Sequence, residues 1–68
     1  MNKIFSDRVK ELREEKGYSI QALGKILKIG ASSISRWERG EADIRSEQLV
    51  TLADFFHVST DYLLGRED

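Results

Sequence analysis

Apolar residues in this chain recur at helical spacing, and no useful length of it alternates with period two. Phe5, Val9 and Leu12 stand at i, i+4 and i+7. Ile20, Leu23, Gly24 and Leu27 repeat i, i+3, i+4, i+7, and so do Leu49, Leu52, Ala53 and Phe56. Such stripes predict helices that bury one face. Ile34 and Trp37 give a shorter third segment a narrow stripe, and Leu63-Leu64 anchor a last turn. Helices this short do not hold alone in water, so their stripes must be buried against one another. The chain has 68 residues and no cysteine. That leaves room for one domain, residues 1–68, with neither a disulfide nor a thiolate metal site to staple it. The expected fold class is all-α, a compact five-helix bundle.

The punctuation agrees with this division. Ser19, Ser46 and Ser59 precede helical stripes and read as N-caps, each with a hydroxyl that can accept from an early helix amide. Lys16-Gly17 and Gly40 read as helix ends, and Gly30 as the start of the third helix. Proline is absent. Gly24 falls inside a helix on its buried face, where glycine costs about 1 kcal/mol relative to alanine. Close approach by another backbone would compensate.

Several functions are poorly supported. His57 is the sole histidine, so a multi-histidine zinc site is excluded and no Ser–His relay can form without it. Asp54 and His57, at i and i+3, could pair, but no carboxylate pair flanks a nucleophile and no glycine-rich phosphate loop is present. The chain is not expected to be an enzyme, and neither a metal, a cofactor nor a small-molecule substrate is expected. No apolar run approaches the roughly 18 residues of a membrane span, and no signal-peptide core follows Met1, so the expected compartment is the cytoplasm. The net charge of −1 argues at first against a nucleic-acid partner. The charge is unevenly divided, however. Residues 1–40 hold nine Lys+Arg and five Asp+Glu, a net of +4; residues 41–68 hold two and seven, a net of −5.

Residues 19–40 read as a helix, a tight turn and a second helix. The outward face of the second carries Ala31, Ser32, Ser35, Arg36 and Arg39. Three of these are small and the two long ones are arginines, whereas a solvated helix usually mixes Glu with Lys. Small side chains let a helix lie deep in a major groove. Serine can donate to or accept from base edges, and arginine can pair bidentately with guanine.

At these residues the chain resembles the lambda-type phage repressors and Cro, the Xre-like helix-turn-helix regulators. The string Ser33-Ile34-Ser35-Arg36-Trp37-Glu38-Arg39-Gly40 is close to that family's recognition-helix ending, I-S-x-[WIY]-E-x-G. Val58-Ser59-Thr60-Asp61-Tyr62-Leu63-Leu64 is similar to its closing V-S-x-D-x-L-L, and Leu12-Arg13 followed by Lys16-Gly17 to its first-helix ending. The resemblance covers residues 5–64. It implies a lambda-repressor-like DNA-binding domain with the helix-turn-helix at helices two and three. It also implies a sequence-specific regulator of transcription, a repressor of bacterial or phage type that binds double-stranded DNA as a homodimer. Carried over, Ala31, Ser32 and Arg36 read bases with Ser35 beside them, and Arg39 meets phosphate. Arg13 and Glu38 match a partly buried ion pair that orients the recognition helix, and Trp37 packs.

Three departures accompany the resemblance. Ile20 stands where the family usually has a phosphate-touching glutamine, and Gln21 is about 100° further round the helix. Lys28 stands where the turn usually has glycine; a left-handed lysine there would be strained but could meet a phosphate. The loop Glu41–Arg45 is acidic where relatives often carry basic residues, which should weaken backbone affinity. Relatives often dimerise through the last helix, and Phe55, Tyr62 and Leu64 are the apolar residues the expected core least needs. The competing reading is a protein-interaction module of the same fold, such as an antitoxin or antirepressor-like partner.

Overall fold

The apolar stripes converge on one core. Phe5, Val9, Leu23, Ile34, Trp37, Leu52, Ala53, Phe56 and Leu63 are buried, and Leu12, Ile20, Leu27 and Leu49 pack partly buried around them. The computed structural model describes residues 3–67; the outermost residues of the expected 1–68 domain lie outside that range. The helices run α1 (Lys3–Glu15), α2 (Ile20–Leu27), α3 (Ala31–Glu38), α4 (Ser46–Phe56) and α5 (Thr60–Leu64). No strand occurs among the described residues. The all-α five-helix expectation is therefore what is found. α1 lies against both α3 and α5, α2 against α3, and α4 against α5.

Two serine caps form as expected. Ser19 Oγ accepts the Ala22 N–H at 3.0 Å, and Ser59 Oγ accepts the Tyr62 N–H at 2.9 Å. The cap assigned to Ser46 is corrected. Ser46 is already the first helical residue of α4, and Arg45 is the extended N-cap. A guanidinium cannot accept from a helix amide, so the closure runs the other way: the Gln48 carboxamide oxygen accepts the Arg45 N–H at 3.3 Å.

All five helices end alike, on a residue in the left-handed region at 17, 28, 40, 57 or 65. The amide after it reaches back five residues to a helix carbonyl, as Ile29 does to Gly24 (2.9 Å) and Val58 to Ala53 (3.0 Å). Glycine fills three of these places. Lys28 (φ 58°) and His57 (φ 57°) fill the others, at roughly 1–2 kcal/mol of strain each. His57 is thus an exposed helix terminator, and it makes no ion pair with Asp54.

The chain's end is strapped to its beginning. Arg8 Nη1 donates to the Tyr62 carbonyl and, at 2.9 Å, to that of Glu67. Its guanidinium also lies 4.1 Å from the centre of the Tyr62 ring. Phe55 packs against Tyr18 and Phe56, with ring centres 5.7 and 5.1 Å away. Phe55 and Tyr62 are therefore partly committed to the core and not spare; Leu64 is half-buried too. The large apolar side chains left about half exposed are Ile4, Ile26 and Val50.

Candidate nucleic-acid interface

The close approach expected at Gly24 is present. A Cβ there would sit 2.7 Å from the Ile29 carbonyl oxygen and 3.3 Å from the Ala31 nitrogen. The missing side chain lets the turn fold back over α2 and brings α3 across it. Gly30, in extended conformation, starts α3 without a side-chain cap.

Two contacts from α1 fix α3 from behind. The Arg13 guanidinium meets the Glu38 carboxylate in bidentate fashion, Nε to Oε2 at 2.7 Å and Nη2 to Oε1 at 3.0 Å. Its Nη1 donates to the Tyr18 carbonyl at 2.8 Å. The two side chains are only 11% and 6% exposed, so solvent screens the pair little. The hydrogen bonds to Glu38 raise the Arg13 pKa above its ordinary value, against the opposing effect of burial. A raised pKa means that the arginine's share of the stability is complete below the ordinary arginine range and is lost only above it. The second contact is a hydrogen bond from buried Ser6 to the Trp37 carbonyl at 2.8 Å. Trp37 itself is buried. Its indole packs and is not available for stacking on a base.

What α3 leaves outward is Ser32, Arg36 and Arg39, all exposed, with Ala31 and Ser35 half-buried beside them. Gln21 is exposed on α2, whereas Ile20 turns toward the core. Lys28 is exposed at the turn. The four α3 residues, Arg39 at its C-cap, Gln21 on α2 and Lys28 at the turn thus belong to one helix-turn-helix unit. In the free protein Arg39 is already engaged: its Nε lies 3.2 Å from Glu41 Oε2. In the sequence the acidity of the loop 41–45 marks neither this pair nor Arg45. Arg45 is exposed and lines an open cleft of about 300 Å³ with Ser33, Arg36, Asp43 and Gln48. The one available signal was a lone cation in an acidic loop. Ser6 gave no signal, since nothing local marks a hydroxyl whose acceptor is 31 residues away.

The turn offers a test with opposite signs. Lys28→Gly should stabilise the fold by about 1 kcal/mol, because it relieves the left-handed strain. The same change should weaken DNA binding if the lysine meets phosphate. Urea unfolding and duplex titration of one variant check both, and equal affinity would remove Lys28 from the interface.

Among the described residues no group of three or more His, Cys, Asp or Glu could hold a metal, and no helix is long and apolar enough to cross a membrane. A family model described as Helix-turn-helix (HTH_3) matches residues 9–63. The transcriptional regulator ImmR of Bacillus subtilis is 38% identical over 61 residues, covering 90% of this chain and 48% of that protein. The repressor protein C2 of Salmonella phage P22 is 33% identical over 61 residues, 90% of this chain and 28% of C2. The solution structure of the DNA-binding domain of P22 C2 superposes with a TM-score of 0.81 at 34% identity, covering 94% of this chain and 86% of that one. The restriction-modification controller protein C.AhdI from Aeromonas hydrophila gives 0.79 at 26%, covering 90% and 92%. The chain spans about half the length of ImmR and of the regulator AnsR of B. subtilis. With the match extending from α1 into α5, and with repressor DNA-binding domains sharing the same helical arrangement, the chain belongs to the lambda-repressor-like helix-turn-helix family.

Proposed function

We propose that this chain is a sequence-specific regulator of transcription that binds double-stranded DNA, most simply as a repressor, through the outward face of α3. The observation that carries the reading is the combination on α3 of an exposed Ser32/Arg36/Arg39 face and a buried Arg13–Glu38 clamp behind it. A surface helix without a task has no need of such rigid seating. The relatives' names support it, since ImmR is a transcriptional regulator and C2 a repressor. In this reading Ala31, Ser32, Ser35 and Arg36 read base edges, and Gln21, Lys28 and Arg39 meet the backbone. Two copies would sit on half-sites about one helical turn apart, roughly 34 Å. The faces that half-buried Phe55, Tyr62 and Leu64 leave exposed are the proposed contact between them. Metal-free, membrane-independent binding in the cytoplasm completes the proposal.

The test begins with selection of bound sequences from a random duplex pool. Arg36→Ala should then cost about 1–3 kcal/mol on the selected duplex and relax preference at one base pair. Arg39→Ala should weaken selected and random duplexes alike and lower the salt slope by about one. Sedimentation of the complex should find two chains per selected site. No enrichment from the pool, or capture of a protein partner unaffected by Arg36→Ala, would instead favour an interaction module.

A further inference from the structure

The Arg39–Glu41 pair has a built geometry. Gly40 (φ 72°) ends α3, its amide donating to the Trp37 carbonyl at 3.1 Å, and the Glu41 amide donates to the Arg36 carbonyl at 2.8 Å. These two bonds fix the backbone of Glu41 just beyond the helix and set its side chain beside that of Arg39. At three of the other four helix ends the residue after the left-handed position packs on the core, as Tyr18, Ile29 and Val58 do, while Arg66 is exposed. Glu41 does not pack there either. It stands exposed, and its carboxylate lies 3.2 Å from Arg39 Nε, with the two side chains 56% and 58% exposed. An apolar anchor has been exchanged for an acid aimed at the last cation of α3.

We infer that Glu41 is an affinity-setting residue, an internal competitor that occupies the Arg39 guanidinium in the free protein and must be displaced when DNA phosphate takes its place. The inference rests on the reading of Arg39 as a phosphate contact. Arg39 then gains less on binding than an unpaired arginine would, because one carboxylate is exchanged for one phosphate. The effect falls on every sequence alike, since phosphate contacts carry no base information. It lowers the hold on random DNA and leaves discrimination to Ser32 and Arg36. An exposed pair is worth little, so the brake is weak.

The experiment is a double-mutant cycle on a short random-sequence duplex at low salt, using wild type, Glu41→Gln, Arg39→Ala and the double variant. Glu41→Gln keeps the backbone bond to Arg36, and thermal unfolding confirms that each variant is folded. Glu41→Gln should tighten binding about two- to fivefold in the wild-type background. In the Arg39→Ala background it should change nothing. Equal tightening in both backgrounds would overturn the inference, because the acid would then act only by general repulsion of DNA. No tightening in either would overturn it as well. If Arg39→Ala alone left affinity unchanged, the failure would lie in the phosphate contact itself.

Discussion

Glu38→Ala is expected to unfold the chain at room temperature, or to leave it within about 1 kcal/mol of unfolding. The substitution leaves the Arg13 guanidinium, 11% exposed, with the Tyr18 carbonyl and only the weaker field of Glu14 in place of its ion-pair partner. Breaking a buried pair from one side costs roughly 3–5 kcal/mol. A domain of this length rarely has more than about 3–5 kcal/mol from its core. Arg13→Ala should do the same damage, now leaving the 6% exposed carboxylate alone. Replacing both partners together, as Arg13→Met with Glu38→Leu, should recover most of the loss, because no uncompensated charge stays buried. Urea unfolding of the two single variants and the double one checks this. A loss below about 1 kcal/mol in Glu38→Ala would show that solvent screens the pair after all. The folded double variant would separate stability from orientation: if α3 needs the clamp to read bases, random DNA should still bind while preference among sequences falls.

Gly24→Val should cost about 3 kcal/mol. The added Cβ meets the Ile29 carbonyl oxygen at 2.7 Å and the Ala31 nitrogen at 3.3 Å. Both atoms are backbone, so no side chain can swing away, and overpacking of this kind costs about 1–3 kcal/mol or more. Gly24→Ala meets the same clash but recovers about 1 kcal/mol of helix propensity. Its loss should therefore be the smaller of the two. The pair of variants thus reads the crossing of α2 and α3 directly. An alanine variant more stable than wild type would mean that the turn stands away from α2.

The sequence exposes what is local. Ser19 and Ser59 are legible as caps because each precedes an apolar stripe, and Gly24 because glycine on a buried helical face demands a reason. The outward face of α3 is legible because Ser32, Ser35 and Arg36 make a poor solvated helix. Other features depend on contacts that no window contains. Arg45 displaces Ser46 from the cap because Gln48 supplies the closing acceptor. His57 takes a left-handed conformation although nothing in its side chain asks for one; the bond from Val58 to Ala53 imposes it. Ser6 and Arg8 act across 31 and 54 residues. Phe55 and Tyr62 look dispensable to the core in a list of stripes, but the rings of Tyr18 and Phe56 and the guanidinium of Arg8 engage them. The opposite charges at 39 and 41 would lie on different sides of a continuing helix and meet only because the chain turns at Gly40.

The placement of α5 against α1 also sets a timetable. Phe5 and Val9 near the start and Leu63 near the end are each wholly buried in one core. During synthesis, at roughly 5–20 residues per second, the early helices emerge first and wait with those faces open. The core cannot close until Leu63 has emerged, and Arg8 cannot fasten the seam until the carbonyls of Tyr62 and Glu67 exist. The residues that would read DNA are therefore synthesised well before the scaffold that folds and aims them. A nascent chain stalled at Arg45 would carry the α3 sequence with no closed core to hold it helical.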